Sequence, residues 1–367
     1  MDEFDKLGNR PNKARKVIPY AVLVIVVSII VLLCCLPANF ASAENEATAV
    51  FNRSSEIVIE QSTGRVLFGN GVRQKMEPAS TTKILTAVCV LENCDDLEKT
   101  VTIPIEAASV EGSSIYLKAG EQWKTIDLLY GLMLRSGNDA AVALASIFGG
   151  IEKFAKIMNL TAIKCGAYES NFVNPHGLHH ENHFTTAYDL AKITAYAYRN
   201  ETFVKIVSSE THYYDYSGER RCFVNKNKML KLFDGANGVK TGYTKNSGRC
   251  LVFGAERNGM QLISVVLNRS DMWQRSADIV EKCFSEYAMT KIMSKEDAKT
   301  VMIKGESVSV CVKRDLYYPL KESEKELLNI SFTILSNAKN LSKGNEIGFA
   351  SIKIANHLIF NEKLFTI

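Results

Sequence analysis

An α/β (α+β) fold, with an antiparallel sheet flanked by helices and a small all-β domain after it, is what this sequence predicts. Three observations carry that reading. Beyond Pro78, apolar residues at Ile84, Leu85, Val88 and Leu91 repeat at helical spacing, and further runs of the same kind follow. Three extended runs, 237–244, 249–255 and 261–267, succeed one another across short turns. From about Lys291 the chain alternates short β-rich runs with charged turns. With 367 residues, of which 46% are hydrophobic, it is long enough for two domains and a large core. The net charge of +4 is mild and no long basic block follows the N-terminal segment, so nucleic-acid binding has no support.

The N-terminal segment comes first. Lys13, Arg15 and Lys16 precede an apolar run from Val17 to Leu36, and Ala41-Ser42-Ala43 then offers a small-residue cleavage site. That order is the design of an export signal. The run is also as long as a bilayer-spanning helix, so an uncleaved anchor with its basic end in the cytoplasm is the alternative. Either version places the rest of the chain outside the cytoplasmic membrane. The expected domains are therefore 1–43 as signal peptide or anchor, 44–290 as the main domain and 291–367 as the β-rich domain. Seven cysteines lie beyond the apolar run, an odd and scattered set that reads as free thiols.

Along the exported part, 56–60 and 65–68 flank Ser62-Thr63-Gly64 and read as a β-hairpin. Residues 101–119 read as a strand-and-loop excursion. A helix is expected over 125–134, another beyond Asp139, a third over 151–160, and a fourth over 185–198 with Thr185 as its cap. Beyond Thr202 the pattern turns extended. A helix from about Trp273 to Met289 is expected to return across the sheet, and the tail 357–367 reads as a last strand.

The chemistry gathers at Ser80-Thr81-Thr82-Lys83. Positions i and i+3 of a helix are neighbours, so the Lys83 amine can reach the Ser80 hydroxyl, and a desolvated lysine can take its proton. Alone the pattern is weak: average composition gives roughly one or two Ser-x-x-Lys pairs by chance in a chain this long. Ser336 to Lys339 is one of them. Context separates the two, since Ser136-Gly137-Asn138 and Lys240-Thr241-Gly242 follow Ser80 in the order that such a motif set requires. Four of the six histidines crowd into 174–183. Imidazole is a common zinc ligand, but neither a helical frame nor an outlying carboxylate accompanies them, so the stretch reads as a rigid loop and no metal or other cofactor is assigned.

Together with Asn174-Pro175-His176-Gly177-Leu178, these motifs resemble the low-molecular-mass penicillin-binding proteins, the serine-type D-alanyl-D-alanine carboxypeptidases. The resemblance spans essentially the whole exported region and implies a penicillin-binding/β-lactamase-like domain. It implies Ser80 as nucleophile, Lys83 as its base, Ser136 as proton donor to the leaving amine, and Asn138 holding both Lys83 and the substrate backbone. Lys240 and Thr241 would meet the terminal carboxylate, Gly242 would leave room for the peptide, and the N–H groups of Ser80 and Tyr243 would form the oxyanion hole. The implied partners are the peptidoglycan stem peptide, β-lactams as covalent inhibitors and the cytoplasmic membrane. The stretch from Gly238 to Leu267, with Trp273, is similar to the branch associated with spore cortex remodelling.

A serine β-lactamase is the nearest alternative. That class needs a base for rapid deacylation, yet no Glu-x-x-Leu-Asn pattern follows Asn138, and Gly137 stands where one class has aspartate. A non-catalytic β-lactam sensor or wall-docking module is the other alternative, and the complete motif set argues against it. The family often ends in a membrane-lying amphipathic helix. The short tail here lacks that pattern, which makes the N-terminal segment the expected tether.

Overall fold

The computed structural model describes residues 54–303, 305–335 and 341–367. The N-terminal apolar run, the cleavage site after Ala43 and the Ser336–Lys339 pair lie outside these residues. In chain order the described elements begin with β1 (Ser55–Glu60), β2 (Val66–Asn70), α1 (Lys83–Asn93), β3 (Thr100–Thr102), α2 (Ile105–Ala108), β4 (Gln122–Lys124) and α3 (Thr125–Tyr130). A π-helical turn, Gly131–Arg135, leads to α4 (Asn138–Ser146), α5 (Ile151–Lys164), α6 (Ala187–Ala197) and α7 (Glu201–Ser208). Then come β5 (Thr211–Tyr216), β6 (Glu219–Val224), α8 (Met229–Leu232), β7 (Ala236–Thr244), β8 (Gly248–Arg257), β9 (Met260–Leu267) and α9 (Met272–Glu286). The remainder is β10 (Ala288–Met293), β11 (Lys299–Ile303), β12 (Glu306–Cys311), β13 (Leu316–Leu320), β14 (Leu328–Ile334), β15 (Glu346–Ile354) and β16 (His357–Thr366).

The main sheet runs β2-β1-β9-β8-β7, and each of its pairings is antiparallel. Side chains alternate across a strand, and here both faces are covered. Ile57 and Ile59 of β1 and Ile263, Val265 and Leu267 of β9 enter the core shared with the helices from α1 to α7. Val58, Leu251, Phe253 and Val266 point the other way, onto α9 through Met272, Ile279 and Val280. Helix α1 is buried from Lys83 to Val90, so it crosses the middle of the helical layer and not its surface.

In the second all-β layer, β11-β12-β16-β15-β14 form one sheet and β10-β13 a ribbon, around Val310, Leu316, Ile347, Ile352 and Leu364. Arg65, beyond the β1 turn, meets this layer. Its guanidinium bonds Glu324 and the Pro319 carbonyl and lies 5.2 and 5.0 Å from the rings of Tyr287 and Tyr318. No helix among the described residues is long and apolar enough to cross a membrane.

Several local expectations are corrected. Residues 201–208 are helical, because Asn200 caps α7 through Phe203 N–H and Phe203, Ile206 and Val207 form a buried face. The extended region starts only at Thr211, and β5-β6 form a hairpin apart from the main sheet. Helix α9 ends at Glu286, since Ala288 to Met293 pairs with β13. The 185–198 helix is capped by Thr186, whose hydroxyl accepts the Asp189 N–H at 3.0 Å. Thr185 instead joins the bridge to Met76. The seven cysteines among the described residues are free, four of them buried.

Thr186→Ala should therefore lower the unfolding free energy by about 1 kcal/mol, the ordinary cost of losing such a cap. Chemical denaturation should read this as an earlier midpoint with an unchanged slope.

Candidate active site

Ser80 lies in a 3-10 turn, Ala79–Thr82, that runs straight into α1. Ala79 just before it has φ 47°, a left-handed conformation that a residue with a Cβ adopts at a cost of roughly 1–2 kcal/mol. Lys83 is buried, and its Nζ has three partners: Ser80 Oγ at 2.9 Å, Asn138 Oδ1 at 2.7 Å and the His176 carbonyl oxygen at 2.7 Å. Burial, with Lys240 as a nearby like charge, holds the Lys83 amine well below its ordinary range. The partner set then fixes which way the neutral amine faces. Two of its partners can only accept, so they take its two hydrogens and the lone pair is left for Ser80, the one partner able to donate.

Each of those acceptors is itself held. Asn138 Nδ2 donates to the Glu111 carbonyl at 2.7 Å, which turns Oδ1 toward Lys83. One amide hydrogen is thus engaged with the protein, and the second remains for a further acceptor. The neighbouring Asp139 accepts from Ser114 Oγ and from the backbone N–H groups of Ile115 and Leu117, tying the 112–117 loop to the start of α4. Gly137 has no space for a side chain, because a Cβ there would meet Asp139 Oδ1 at 2.7 Å. Ser136 closes the π-helical turn at φ 66°, a second left-handed residue in the site.

His176 contributes its carbonyl, not its ring. Asn174 Oδ1 accepts from Gly177 N–H at 2.7 Å, and Thr86 Oγ1 donates to the Pro175 carbonyl at 2.6 Å, so the loop is clamped over α1. Gly177 has φ 85°, and a Cβ there would lie 1.8 Å from the Ala79 carbonyl oxygen. Burial pushes the His176 and His183 rings down to about 3, and both are therefore neutral. His183 Nδ1 accepts the Val173 N–H, which leaves Nε2–H to donate to Thr82 Oγ1 at 2.9 Å. These rings are structural pins of the loop.

The opposite wall is β7. A Cβ on Gly242 would fall 3.1 Å from Ser80 N and from the Pro78 carbonyl oxygen, so the strand passes against the Ser80 backbone. Ser80, Ser136, Thr241, Gly242 and Tyr243 line one cleft of about 290 Å³, with Lys83, Asn138 and Lys240 buried. Lys240 is 2% exposed, and its Nζ donates to the Thr241 carbonyl at 2.9 Å. Burial, with Lys226 as a like charge, brings its pKa down to about 7.

Five lining residues escaped the sequence reading: Ser113, Lys226, Arg249, Met272 and Trp273, the last noted only for its place in the chain. Arg249 was within reach. The short turn after Thr244 sets it opposite Tyr243 in the β7-β8 register, with its guanidinium 5.8 Å from that ring. Lys226 carries no local signal, and the His176 carbonyl is a backbone atom that no side-chain motif announces.

Residues 41–271 match the family described as D-alanyl-D-alanine carboxypeptidase, and residues 287–366 match the penicillin-binding protein 5 C-terminal domain. The chain is 31% identical over 348 residues to the D-alanyl-D-alanine carboxypeptidase DacF of Bacillus subtilis, covering 88% of each. It superimposes on penicillin binding protein 5 from Haemophilus influenzae with a TM-score of 0.72 at 26% identity, covering 85% of this chain and 96% of that one. The D-alanyl-D-alanine carboxypeptidase from Mycobacterium tuberculosis gives 0.61 at 30% identity, over 63% and 90%.

Two outcomes are expected from this geometry. Gly177→Ala should displace the loop that carries the His176 carbonyl and slow acylation of Ser80 by a fluorescent penicillin by about 100-fold, the scale of an ångström-sized misplacement. The second concerns pH. Lys240 titrates near 7 when folded and near its ordinary 10.5 when unfolded, so between those values the unfolded chain binds the extra proton and stability rises with pH. The thermal midpoint of Lys240→Met should rise less over that window than the parent's.

Proposed function

Because this chain belongs to the D-alanyl-D-alanine carboxypeptidase family of low-molecular-mass penicillin-binding proteins, we propose that Ser80 is the nucleophile of its serine-type carboxypeptidase reaction. The enzyme is a hydrolase of cell-wall metabolism that removes the terminal D-alanine from peptidoglycan stem pentapeptides, which limits cross-linking. The observation that carries the assignment is the Lys83 amine, with two hydrogens committed to Asn138 Oδ1 and the His176 carbonyl and its lone pair facing Ser80 Oγ.

In the first half-reaction Ser80 Oγ attacks the carbonyl between the two D-alanines, and its proton passes to Lys83. Backbone N–H groups of Ser80 and Tyr243 receive the developing oxyanion, a role that the close passage of Gly242 beside Ser80 N supports. The C–N bond breaks, the leaving amine takes a proton through Ser136, and an acyl ester on Ser80 remains. In the second half-reaction Lys83, having passed its first proton through Ser136 to the leaving amine, takes one from water, the hydroxide attacks the ester carbonyl, the acyl–Oγ bond breaks, and Lys83 returns the proton to Ser80 Oγ. Asn138 keeps Lys83 aligned through both halves. Lys240 and Thr241 meet the terminal carboxylate from the β7 side, and binding an anion would hold the Lys240 proton in place.

β-Lactams occupy the same serine as slowly released acyl groups, in keeping with the family and with the absence of a class-typical glutamate after Asn138. The N-terminal basic residues and apolar run support export, with action on the outer face of the cytoplasmic membrane and the segment either cleaved after Ala43 or retained as the tether.

The full chain, solubilised in detergent, should release D-alanine from a pentapeptide ending in D-Ala-D-Ala, and its Ser80→Ala variant should release none above background. Release by both proteins, or by neither while folded, would overturn the assignment.

A further inference from the structure

A groove of about 770 Å³ lies between the β3-β4 ribbon, α3 and the β5-β6 hairpin, and it shares no lining residue with the cleft at Ser80. One wall is aromatic. The Trp123 ring centroid lies 5.2 Å from that of Tyr214 and 5.4 Å from that of Tyr216. The polar ends of this wall are tied back to Glu121, which accepts from Trp123 Nε1 and from the Tyr216 hydroxyl. Across from it, Asp127 accepts from His212 Nε2 at 2.7 Å, and the His212 ring lies flat on Tyr130 at 3.6 Å. An ionised carboxylate keeps further acceptor sites. Thr100 and Gln122 add neutral polar groups.

Charge narrows the ligand class. Glu98, Asp127 and Asp215 stand against Lys124 and Lys205, and Glu98 and Lys124 already pair at 2.8 Å. No cationic excess exists to draw a polyanion. Flat aromatic faces, a few hydrogen-bonding groups and near-balanced charge suit a neutral polyhydroxyl ring.

Position narrows it further. Tyr130 ends α3 six residues before Ser136, with one π-helical turn between them. The hairpin serves both places: β5 supplies the groove wall, while Lys226, just past β6, lines the cleft and donates its N–H to the Leu134 carbonyl. The four stem-peptide residues up to the scissile carbonyl span about 14 Å when extended, longer than one helical turn.

We propose that this groove binds the glycan strand that bears the stem peptide, a β-linked polymer of N-acetylated hexosamines, while the peptide itself reaches the cleft at Ser80. This rests on the carboxypeptidase reading for its substrate. The enzyme then favours polymerised wall over free peptide, with the accessible rings of Tyr213, Tyr214 and Tyr216 stacking on the sugars over the buried Trp123, and Asp127 accepting from their hydroxyls or amides.

The chain contains two tryptophans, so Trp273→Phe leaves Trp123 as the reporter. Titrating that full chain with N-acetylated chitotetraose should change Trp123 emission saturably. Tyr214→Ala should weaken binding by about tenfold, the scale of one lost ring contact. Since Tyr214 also packs on Phe223, Asp127→Asn provides a milder second variant. In a background that retains Trp273, Asp127→Asn should raise the KM for D-alanine release from glycan-linked pentapeptide by about tenfold, and leave the KM for the free pentapeptide unchanged. An unchanged emission at millimolar sugar, or equal KM changes on both substrates, would overturn the proposal. Sugar binding is read without turnover, so its failure is distinct from a failure of the carboxypeptidase reading, which would appear as no D-alanine release at all.

Discussion

A buried lysine amine is the constraint on which the site depends. Lys83 sits in a helix buried on all sides, and an unpartnered ammonium there would cost several kcal/mol. Three polar contacts answer that cost, and none of them is a carboxylate. A carboxylate partner would hold the proton on the amine; the amide oxygen and the carbonyl stabilise it without doing so. The same three contacts that make burial tolerable therefore leave Lys83 able to accept a proton from Ser80.

Much of the surrounding structure serves to fix those two acceptors. The Asn174 turn and the Thr86 hydroxyl clamp the His176 carbonyl, and Gly177 permits the loop to rest on the Ala79 backbone. Asp139 draws the 112–117 loop against α4, and the Glu111 carbonyl just before that loop sets the Asn138 amide. Ala79 and Ser136, on opposite sides of the cleft, both take left-handed backbone angles that ordinary residues avoid. The packing around each is tight enough to hold it there. Both are nearly fully buried; Gly137 leaves room for the Asp139 and Ala140 side chains, and Gly242 lets the backbone of Pro78 and Ser80 come close.

The sheet explains how so exact an arrangement stays rigid. β1, β8 and β9 are buried on both faces, with the helical layer on one side and α9 on the other, so β7 joins a framework that cannot slip register without exposing an apolar face. At the far end of the molecule, Arg65 lies between two tyrosines and bonds Glu324, joining the sheet's first turn to the second all-β layer. The groove beside Trp123 occupies a different margin, where two short ribbons face each other beyond the main sheet.

What the sequence determined by itself was whatever local spacing encodes. Ser80 and Lys83 are three residues apart on one turn, the 136–138 and 240–242 motifs follow in order, and period-two runs mark the β7-β8-β9 meander. Tertiary structure decided the rest. That Lys83 has no carboxylate partner among the described residues, that a backbone carbonyl of residue 176 completes its shell and that Lys240 is buried with a pKa near 7 depend on groups far apart in the chain. Helix α7 and the Thr186 cap are not legible in the sequence because tertiary packing outweighs weak local preference: Phe203, Ile206 and Val207 find a core to enter, and Thr185 is claimed by the bridge to Met76. Lys226, Arg249 and the aromatic wall around Trp123 belong to surfaces that exist only once hairpins from separate parts of the chain are brought together. Sequence spacing records neighbours along an element, whereas a cleft is made of neighbours across elements.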